Sequence, residues 1–125
     1  MTKDEATKLL NIYGEAWVKR DPELIVTIFT EGATYNDPHE PENFGREAIR
    51  QYWISKVIGE QDDITFDLRN VWLDGETVIA EWHATFKDIK RNLMIEMDEV
   101  AIFAIDGDRF CSLREYYKST KTPAI

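Results

Sequence analysis

A tyrosine and an aspartate in the first third of the chain are the residues best suited to chemistry. Tyr13 and Trp17 lie four residues apart on the apolar face of a predicted helix, so they point the same way. Asp37 ends a predicted strand, directly before Pro38. A carboxylate that loses water among aromatic rings becomes a usable base, and a phenol can donate a hydrogen bond to a developing negative charge. These residue types predict general acid–base catalysis on a small hydrophobic molecule.

Both side chains also have an ordinary structural interpretation, which the sequence leaves open. Aspartate before proline is common in turns, where its carboxylate accepts hydrogen bonds from nearby backbone amides. A tyrosine on an apolar helix face often belongs to the core, and its hydroxyl then needs only some partner. An Asp37 that faced away from Tyr13 would favour a non-catalytic ligand-binding or dimerisation module.

The two histidines have similar alternatives. His39 lies in the loop after the predicted strand, where a solvated surface role is the simpler interpretation. His83 lies on a long strand and shares one face with Glu81 and Thr85, whereas Trp82 lies on the other. Simple alternation predicts that the His83 face meets solvent.

Two glutamates on later strands form a possible buried pair. Strand 93–105 is apolar on both faces near its end, which predicts that both faces are covered. Glu99 shares the face of Phe103 on this strand. Glu115 joins that face if the loop at 106–108 is three residues long, and a loop of two or four residues reverses its phase. Buried together, the two carboxylates would raise each other's pKa.

The elements that must position these residues are helices first and an antiparallel meander afterwards. This order predicts an α+β domain with helices packed on one face of a sheet. Residues 118–125 are expected to form a loose tail. The predicted elements are helices ending near Lys19 and at Gly32, a strand over 33–36, a helix over 46–59, and strands over 64–73, 77–87, 93–105 and 109–117.

Composition restricts the class of protein. A length of 125 residues fits one domain, and 43% hydrophobic content argues against disorder. The net charge of -9 argues against nucleic-acid binding. The single Cys111 indicates a reducing compartment, so we expect the cytoplasm. No apolar run suits a membrane span, and residues 1–8 lack the apolar centre of a secretion signal. No spacing of His, Asp and Glu matches a metal motif, so neither metal nor other cofactor is predicted.

Particular residues and their order resemble the nuclear transport factor 2-like superfamily, especially its SnoaL-like polyketide cyclase and ketosteroid isomerase members. The resemblance rests on Asp21-Pro22, the 33–38 run, Gly45-Arg46 and the closing 113–117 segment. It covers roughly 9–118 and implies a cone-shaped α+β barrel, in which a curved antiparallel sheet wraps three helices and leaves a cavity. It also implies a homodimer formed through the outer face of the sheet.

The resemblance implies roles for individual residues. Tyr13 matches the tyrosine that donates to the enolate, and Asp37 matches the carboxylate that shuttles the proton. The third element of such isomerases, a protonated aspartate, falls at Ala101, and Asp98 or Glu99 would match it only with a shift. The resemblance also implies that the His83 face looks inward and the Trp82 face forms the dimer surface, which is the phase that we adopt.

The prediction is therefore a small-molecule-binding domain, and an isomerase, cyclase or lyase if it is catalytic. Asp37 is the expected base, Tyr13 the hydrogen-bond donor, and His83 or Glu99 a second acid or base. The expected partners are a small hydrophobic molecule and a second copy of the chain, without nucleic acid or membrane. The predicted substrate contacts are Trp17, Phe29, Tyr35, His39, Trp53, Phe103, Glu115 and Tyr117.

Overall fold

The first helix has a complete set of end signals. In the computed structural model, which describes residues 1–124, α1 spans Lys3–Lys19. Thr2 and Glu5 form a capping box, in which each side chain accepts a hydrogen bond from the other residue's backbone amide. Arg20 ends the helix in the left-handed conformation, with φ of 53°. The buried face of α1 is Ala6, Leu10, Tyr13, Gly14, Ala16 and Trp17.

The second helix is shorter than the sequence predicts. Asp21 caps α2 (Pro22–Ile25), and a 3₁₀ turn (Val26–Ile28) follows it. Strand β1 (Phe29–Asn36) then begins three residues before Gly32, where the helix was expected to end. Phe29 is fully buried and pairs with the last strand of the sheet, so tertiary pairing overrides local helix propensity here.

The third helical segment agrees with the prediction. Gly45, with φ of 87°, precedes α3 (Arg46–Trp53), which continues as a π-helical turn (Ile54–Ile58). A two-residue strand, β2 (Asn43–Phe44), pairs with β1 just before it. No helix among residues 1–124 has both the length and the apolar character that a bilayer crossing requires.

Six strands form one curved, open sheet around the helices. The neighbours are antiparallel except for β1 and β6, which are parallel. This confirms the α+β cone predicted from the sequence, although the sheet is mixed rather than wholly antiparallel and does not close. The long strands are β3 (Gln61–Asp74), β4 (Thr77–Asp88), β5 (Leu93–Asp106) and β6 (Arg109–Pro123), in the spatial order β2-β1-β6-β5-β4-β3.

The phase of β4 is opposite to the one that we adopted. Trp82 is fully buried on the concave face, and its ring centroid lies 4.8 Å from that of Tyr13. Glu81, His83 and Thr85 therefore lie on the outer face of the sheet. Simple alternation predicts this arrangement correctly, because the two largest apolar side chains of β4, Trp82 and Phe86, lie on the face that meets the helices, whereas the outer face carries Ile79 among polar residues.

A bulge in β6 determines where Glu115 points. The β5–β6 turn has two residues, Gly107 and Asp108, which by itself would place Glu115 on the outer face. The register shifts at Cys111, where one extra residue enters β6 and reverses the phase again. Glu115 consequently pairs with Ala101 and shares the concave face with Glu99.

The last strand continues through most of the predicted loose tail. Strand β6 runs to Pro123, which pairs with Leu93 at the start of β5. The polar segment 118–123 is therefore ordered by strand pairing, and the prediction of weak order there is wrong. Within the predicted tail, Ile125 lies outside the described residues.

Candidate active site

The helices and the concave face of the sheet enclose a pocket of about 330 Å³. Seven of its 22 lining residues are aromatic. Its charged side chains include a buried pair, Glu99 and Glu115, and a more exposed set of ion pairs at the mouth. The aromatic lining residues are Tyr13, Trp17, Tyr35, Tyr52, Trp53, Phe86 and Tyr117.

Asp37 lies in this pocket at the end of β1. Its carboxylate accepts hydrogen bonds from the hydroxyls of Tyr52 and Tyr117, the latter at 3.0 Å. It also accepts a hydrogen bond from the backbone amide of His39 at 2.9 Å. Three accepted bonds are the bonding pattern of an ionised carboxyl group. Both interpretations of Asp37 thus hold at once, because the side chain caps its own turn and also lines the pocket.

The two tyrosines that hold Asp37 remain protonated donors. Burial is the largest cause that raises the pKa of Tyr52, and the charges of Glu115 and Asp37 raise it further. Burial likewise raises the pKa of Tyr117, followed by the effect of Asp37. Neither hydroxyl therefore ionises near neutral pH.

A second hydroxyl pair lies deeper in the pocket. The hydroxyls of Tyr13 and Tyr35 are 3.2 Å apart and share a hydrogen bond. Both residues are buried, and burial is the main cause that raises the pKa of each well above its ordinary value. This pair offers a neutral donor to any oxygen that enters the pocket.

Glu99 and Glu115 form a buried carboxyl pair on the same wall. Glu99 is 2% exposed and Glu115 is 6% exposed. Burial, and then the charge of Glu115, raises the pKa of Glu99 well above its ordinary value. Burial also raises the pKa of Glu115, although contacts with Glu99, Tyr35 and Tyr13 act in the opposite direction. At least one of the two carboxyl groups therefore stays protonated at a pH where exposed glutamates are ionised.

Oxygen Oε2 of Glu99 is unpaired. The atom is fully buried and has no hydrogen-bond partner within residues 1–124. Trp82, which pairs with Glu99 across β4 and β5, also has a buried indole N–H that meets no acceptor at hydrogen-bond geometry in that part of the chain. This N–H lies close enough to the Glu99 carboxyl to oppose, in part, the rise of its pKa on burial. An unsatisfied buried carboxyl oxygen at a pocket wall is costly unless a ligand or a proton compensates it.

The mouth of the pocket carries ion pairs. Lys56, on the π-helical turn, pairs with Glu40 of the β1–β2 loop. Arg91, in the β4–β5 turn, lies 3.0 Å from Asp88 and 3.4 Å from Glu60. These contacts connect the loop after Asp37 to the helix and to the far end of the sheet.

Most of the predicted site residues line the pocket, but three of them lie elsewhere. Phe29 and Phe103 are fully buried in the core and do not line the pocket. His83 lies on the outer face, where Nδ1 is 2.9 Å from Asp98 and Nε2 is 3.4 Å from Glu96. The predicted residues that line the pocket are Tyr13, Trp17, Tyr35, Asp37, His39, Trp53, Glu99, Glu115 and Tyr117.

Tyr52 is the residue that the sequence analysis omitted. It directly precedes Trp53 on α3, and its hydroxyl binds Asp37. The apolar pattern of the helix predicts that its ring turns inward, but the pattern does not show what the hydroxyl meets. Among residues 1–124, no group of three or more His, Cys, Asp or Glu side chains is arranged to hold a metal ion.

Solved structures with the same fold include proteins of different activities. One is the epoxide hydrolase/cyclase-like enzyme SalBIII, which acts in pyran ring formation in salinomycin. It is 25% identical, with 94% of this chain and 95% of that chain covered and a TM-score of 0.75. An epoxide hydrolase from M. tuberculosis, described as LEH-like, is 14% identical, with coverage of 93% and 84% and a TM-score of 0.76.

A third similar structure is a Catenulispora acidiphila protein with a ketosteroid isomerase-like fold, in complex with trimethylamine. It is 17% identical, with 88% of this chain and 85% of that chain covered and a TM-score of 0.80. No curated protein matches the sequence. The SnoaL-like domain matches residues 11–113, which is most of the chain. The helices, the open curved sheet and this match together show that the protein belongs to the SnoaL-like domain family.

Proposed function

We propose that this protein is an enzyme that uses general acid–base catalysis on a small, largely apolar molecule held in the pocket. Its reaction class is that of isomerases, cyclases and epoxide-opening enzymes, and it uses its own side chains without a cofactor. One observation carries the proposal. Asp37, which only accepts hydrogen bonds, lines the same pocket as two buried glutamates whose pKa values are raised.

Asp37 is the proposed base. It lies at the end of a strand, and hydroxyl groups from α3 and β6 hold it in place. Positioning of this kind reduces the entropy that the reaction would otherwise lose on orienting the base. A proton on carbon or oxygen of the substrate could pass to the carboxylate while Tyr52 and Tyr117 keep the side chain oriented.

A neutral glutamic acid from the Glu99–Glu115 pair is the proposed acid. In an isomerisation, Asp37 takes a proton from carbon beside a carbonyl, the carbonyl oxygen accepts a hydrogen bond from the acid, and the proton returns to another carbon. In epoxide opening, the acid gives its proton to the oxygen as the carbon–oxygen bond breaks, and Asp37 takes the proton of the attacking hydroxyl or water. Both reactions need a base and a donor across one pocket.

The likeness to SalBIII supports the cyclase and epoxide-opening part of this range, because that enzyme is 25% identical over nearly the whole of both chains. The pocket volume of about 330 Å³ suits a small organic molecule.

The test is turnover of a defined panel, with β,γ-unsaturated ketones for proton transfer and hydroxy-epoxides for ring opening or closure. Asp37→Asn should reduce turnover of an accepted substrate by about a hundredfold or more, because general base catalysis contributes about 10²–10⁴ in rate. Tyr13→Phe should slow it less. Asp67→Asn, a matched change on the outer face of β3, should leave it unchanged. Circular dichroism checks that each variant is folded.

A non-catalytic binding module is the second candidate, and one observation favours it. Both carboxylate oxygens of Asp37 already have partners, so a substrate proton must compete with Tyr52, Tyr117 and the amide of His39. Equal turnover by the wild type and by Asp37→Asn would reject catalysis by Asp37. Binding of panel compounds by the wild type without any turnover would support the binding module.

A further inference from the structure

More acidic than basic side chains line the pocket, and only some of the acids are paired with basic ones. Six acidic and three basic side chains line it. Two of the bases, Lys56 and Arg91, form ion pairs at the mouth with the acids Glu40, Glu60 and Asp88. The third base is Lys121, near the end of β6.

The other three acids have no salt-bridge partner among the described residues, and two of them, Glu99 and Glu115, are buried. Within residues 1–124, no Lys or Arg side chain forms a salt bridge with Asp37, Glu99 or Glu115. The inner part of the pocket is therefore acidic, on a chain whose overall net charge is -9. A cleft of one charge sign attracts ligands of the opposite sign and disfavours anions.

Aromatic rings form the remaining inner wall. The rings of Tyr13 and Trp53 lie edge to face at 90° with centroids 5.8 Å apart, and those of Tyr35 and Tyr52 have centroids 5.3 Å apart. Rings at different angles around one space offer faces to a cation from several directions. Such contacts attract a cation, and the attraction is stronger when the cation is desolvated.

The unpaired oxygen of Glu99 is an independent sign of a missing partner. Glu99 is 2% exposed, lines the pocket, and its Oε2 has no hydrogen-bond partner in the described part of the chain. A positively charged group near it would favour the ionised form of Glu99, and Glu115 would then hold the proton of the pair.

We propose that the molecule bound in this pocket carries an ammonium group, with the cation beside Glu99 and Asp37 and the apolar part against the aromatic rings. The inference rests on the proposed acid–base function, because it names the class of substrate that the same pocket takes. A small amine or quaternary ammonium compound has both a positive charge for the acids and an apolar part for the rings. An anionic or purely hydrocarbon ligand would leave Asp37, Glu99 and Glu115 without a countercharge.

The experiment compares two ligands of nearly the same shape, benzyltrimethylammonium and its uncharged carbon analogue neopentylbenzene. Binding near neutral pH is followed by the intrinsic tryptophan fluorescence, because two of the four tryptophans, Trp17 and Trp53, line the pocket. Glu99→Gln should weaken binding of the ammonium compound about tenfold and change binding of the neutral analogue less than about twofold. Glu96→Gln is the matched control, since it makes the same change on the exposed face of β5 and should alter neither affinity.

Two results would overturn the inference. One is the absence of saturable binding of the ammonium compound to the wild-type chain, and the other is an equal loss of affinity for both ligands in Glu99→Gln. Turnover of neutral ketones or epoxides without ammonium binding would reject this substrate class and leave the acid–base function standing. Specific ammonium binding without turnover on any panel would support the inference and reject the enzyme.

Discussion

Glu99 and Glu115 place two carboxyl groups where water cannot solvate them well. Each is more than nine-tenths buried, and the charge of Glu115 raises the cost of ionising Glu99 because like charges repel in a poorly hydrated space. The fold thus gives up stability to keep a proton donor at the pocket wall. This loss is measurable without any substrate.

Replacing Glu99 by glutamine should stabilise the protein near neutral pH. The pKa of Glu99 is higher in the folded state than the ordinary value of 4.5, so the folded state binds more protons than the unfolded state. Stability is fully present below the unfolded pKa and is lost as pH rises towards the folded pKa. Glutamine cannot ionise, so we expect a gain of about 1 kcal/mol or more in unfolding free energy near neutral pH, and little gain near pH ~4.

Urea denaturation of the wild type and Glu99→Gln across this pH range checks the expectation. The surface change Glu96→Gln, on the same strand, should leave the wild-type pH profile in place. A Glu99→Gln variant that is less stable than the wild type at neutral pH would show that the ionised side chain is well accommodated, contrary to this account.

For single residues, the sequence predicts which side chains have suitable chemistry better than it predicts which way they point. Tyr13 and Asp37 were placed correctly at the pocket because helix periodicity and a strand end before proline fix where they lie. The family resemblance predicts the wrong face of the sheet for His83, whereas the alternation along β4 predicts the right one. The partners of Asp37 could not be predicted, because Tyr52 and Tyr117 lie 15 and 80 residues from it in sequence.

At the scale of elements, the turns between strands could be predicted from the sequence, but the bulge in β6 could not. Asp74-Gly75 and Asp106-Gly107 mark the ends of long strands, as expected. The bulge at Cys111 leaves no recognisable pattern in the sequence, yet it decides that Glu115 faces the pocket. Residues 118–123 look like a polar tail, but the first half of β5 needs a partner and this segment supplies it.

Helix α1 approaches β3 closely at Gly14. A methyl group at this position would lie 2.3 Å from a ring carbon of Phe66, well inside contact distance. Alanine is the better helix former by about 1 kcal/mol, but overpacking costs about 1–3 kcal/mol. We therefore expect Gly14→Ala to be net destabilising by about 1 kcal/mol, measured as a lower midpoint in thermal unfolding.

Gly32→Ala is the control for that experiment. Gly32 lies in β1, and a methyl group there meets no atom within 4 Å. Its unfolding midpoint should match or slightly exceed that of the wild type. A Gly14→Ala protein as stable as the Gly32→Ala protein would mean that Phe66 moves aside freely and that α1 is not tightly fixed over the pocket.

For the whole molecule, the outer face of the sheet stands out because it carries exposed apolar side chains. Trp72, Val100 and Tyr116 are exposed on it, at 50%, 38% and 52%. Clustered apolar side chains on a sheet face are typical of interaction surfaces. The homodimer inferred from the sequence stays a prediction, and this face is where we expect it to form.

Light scattering at micromolar concentration should give about twice the chain mass of 14.6 kDa. Val100→Lys should return the mass to that of one chain, because a buried unpaired charge is costly at an interface. Lys87→Gln, a change on β4 away from this apolar group, should keep the dimer. A wild-type protein that elutes as a monomer would contradict the prediction.

The proposed function depends on one property of the pocket: the carboxyl pair on its wall stays partly protonated while Asp37 accepts hydrogen bonds nearby. Carbon-13 NMR of labelled glutamate carboxyl groups measures this directly, with Glu99→Gln and Glu115→Gln to assign the signals. We predict that the pair titrates in coupled steps, with at least one apparent pKa well above the ordinary 4.5. Two glutamates that both titrate at or below that value would contradict the proposed acid and, with it, the proposed function.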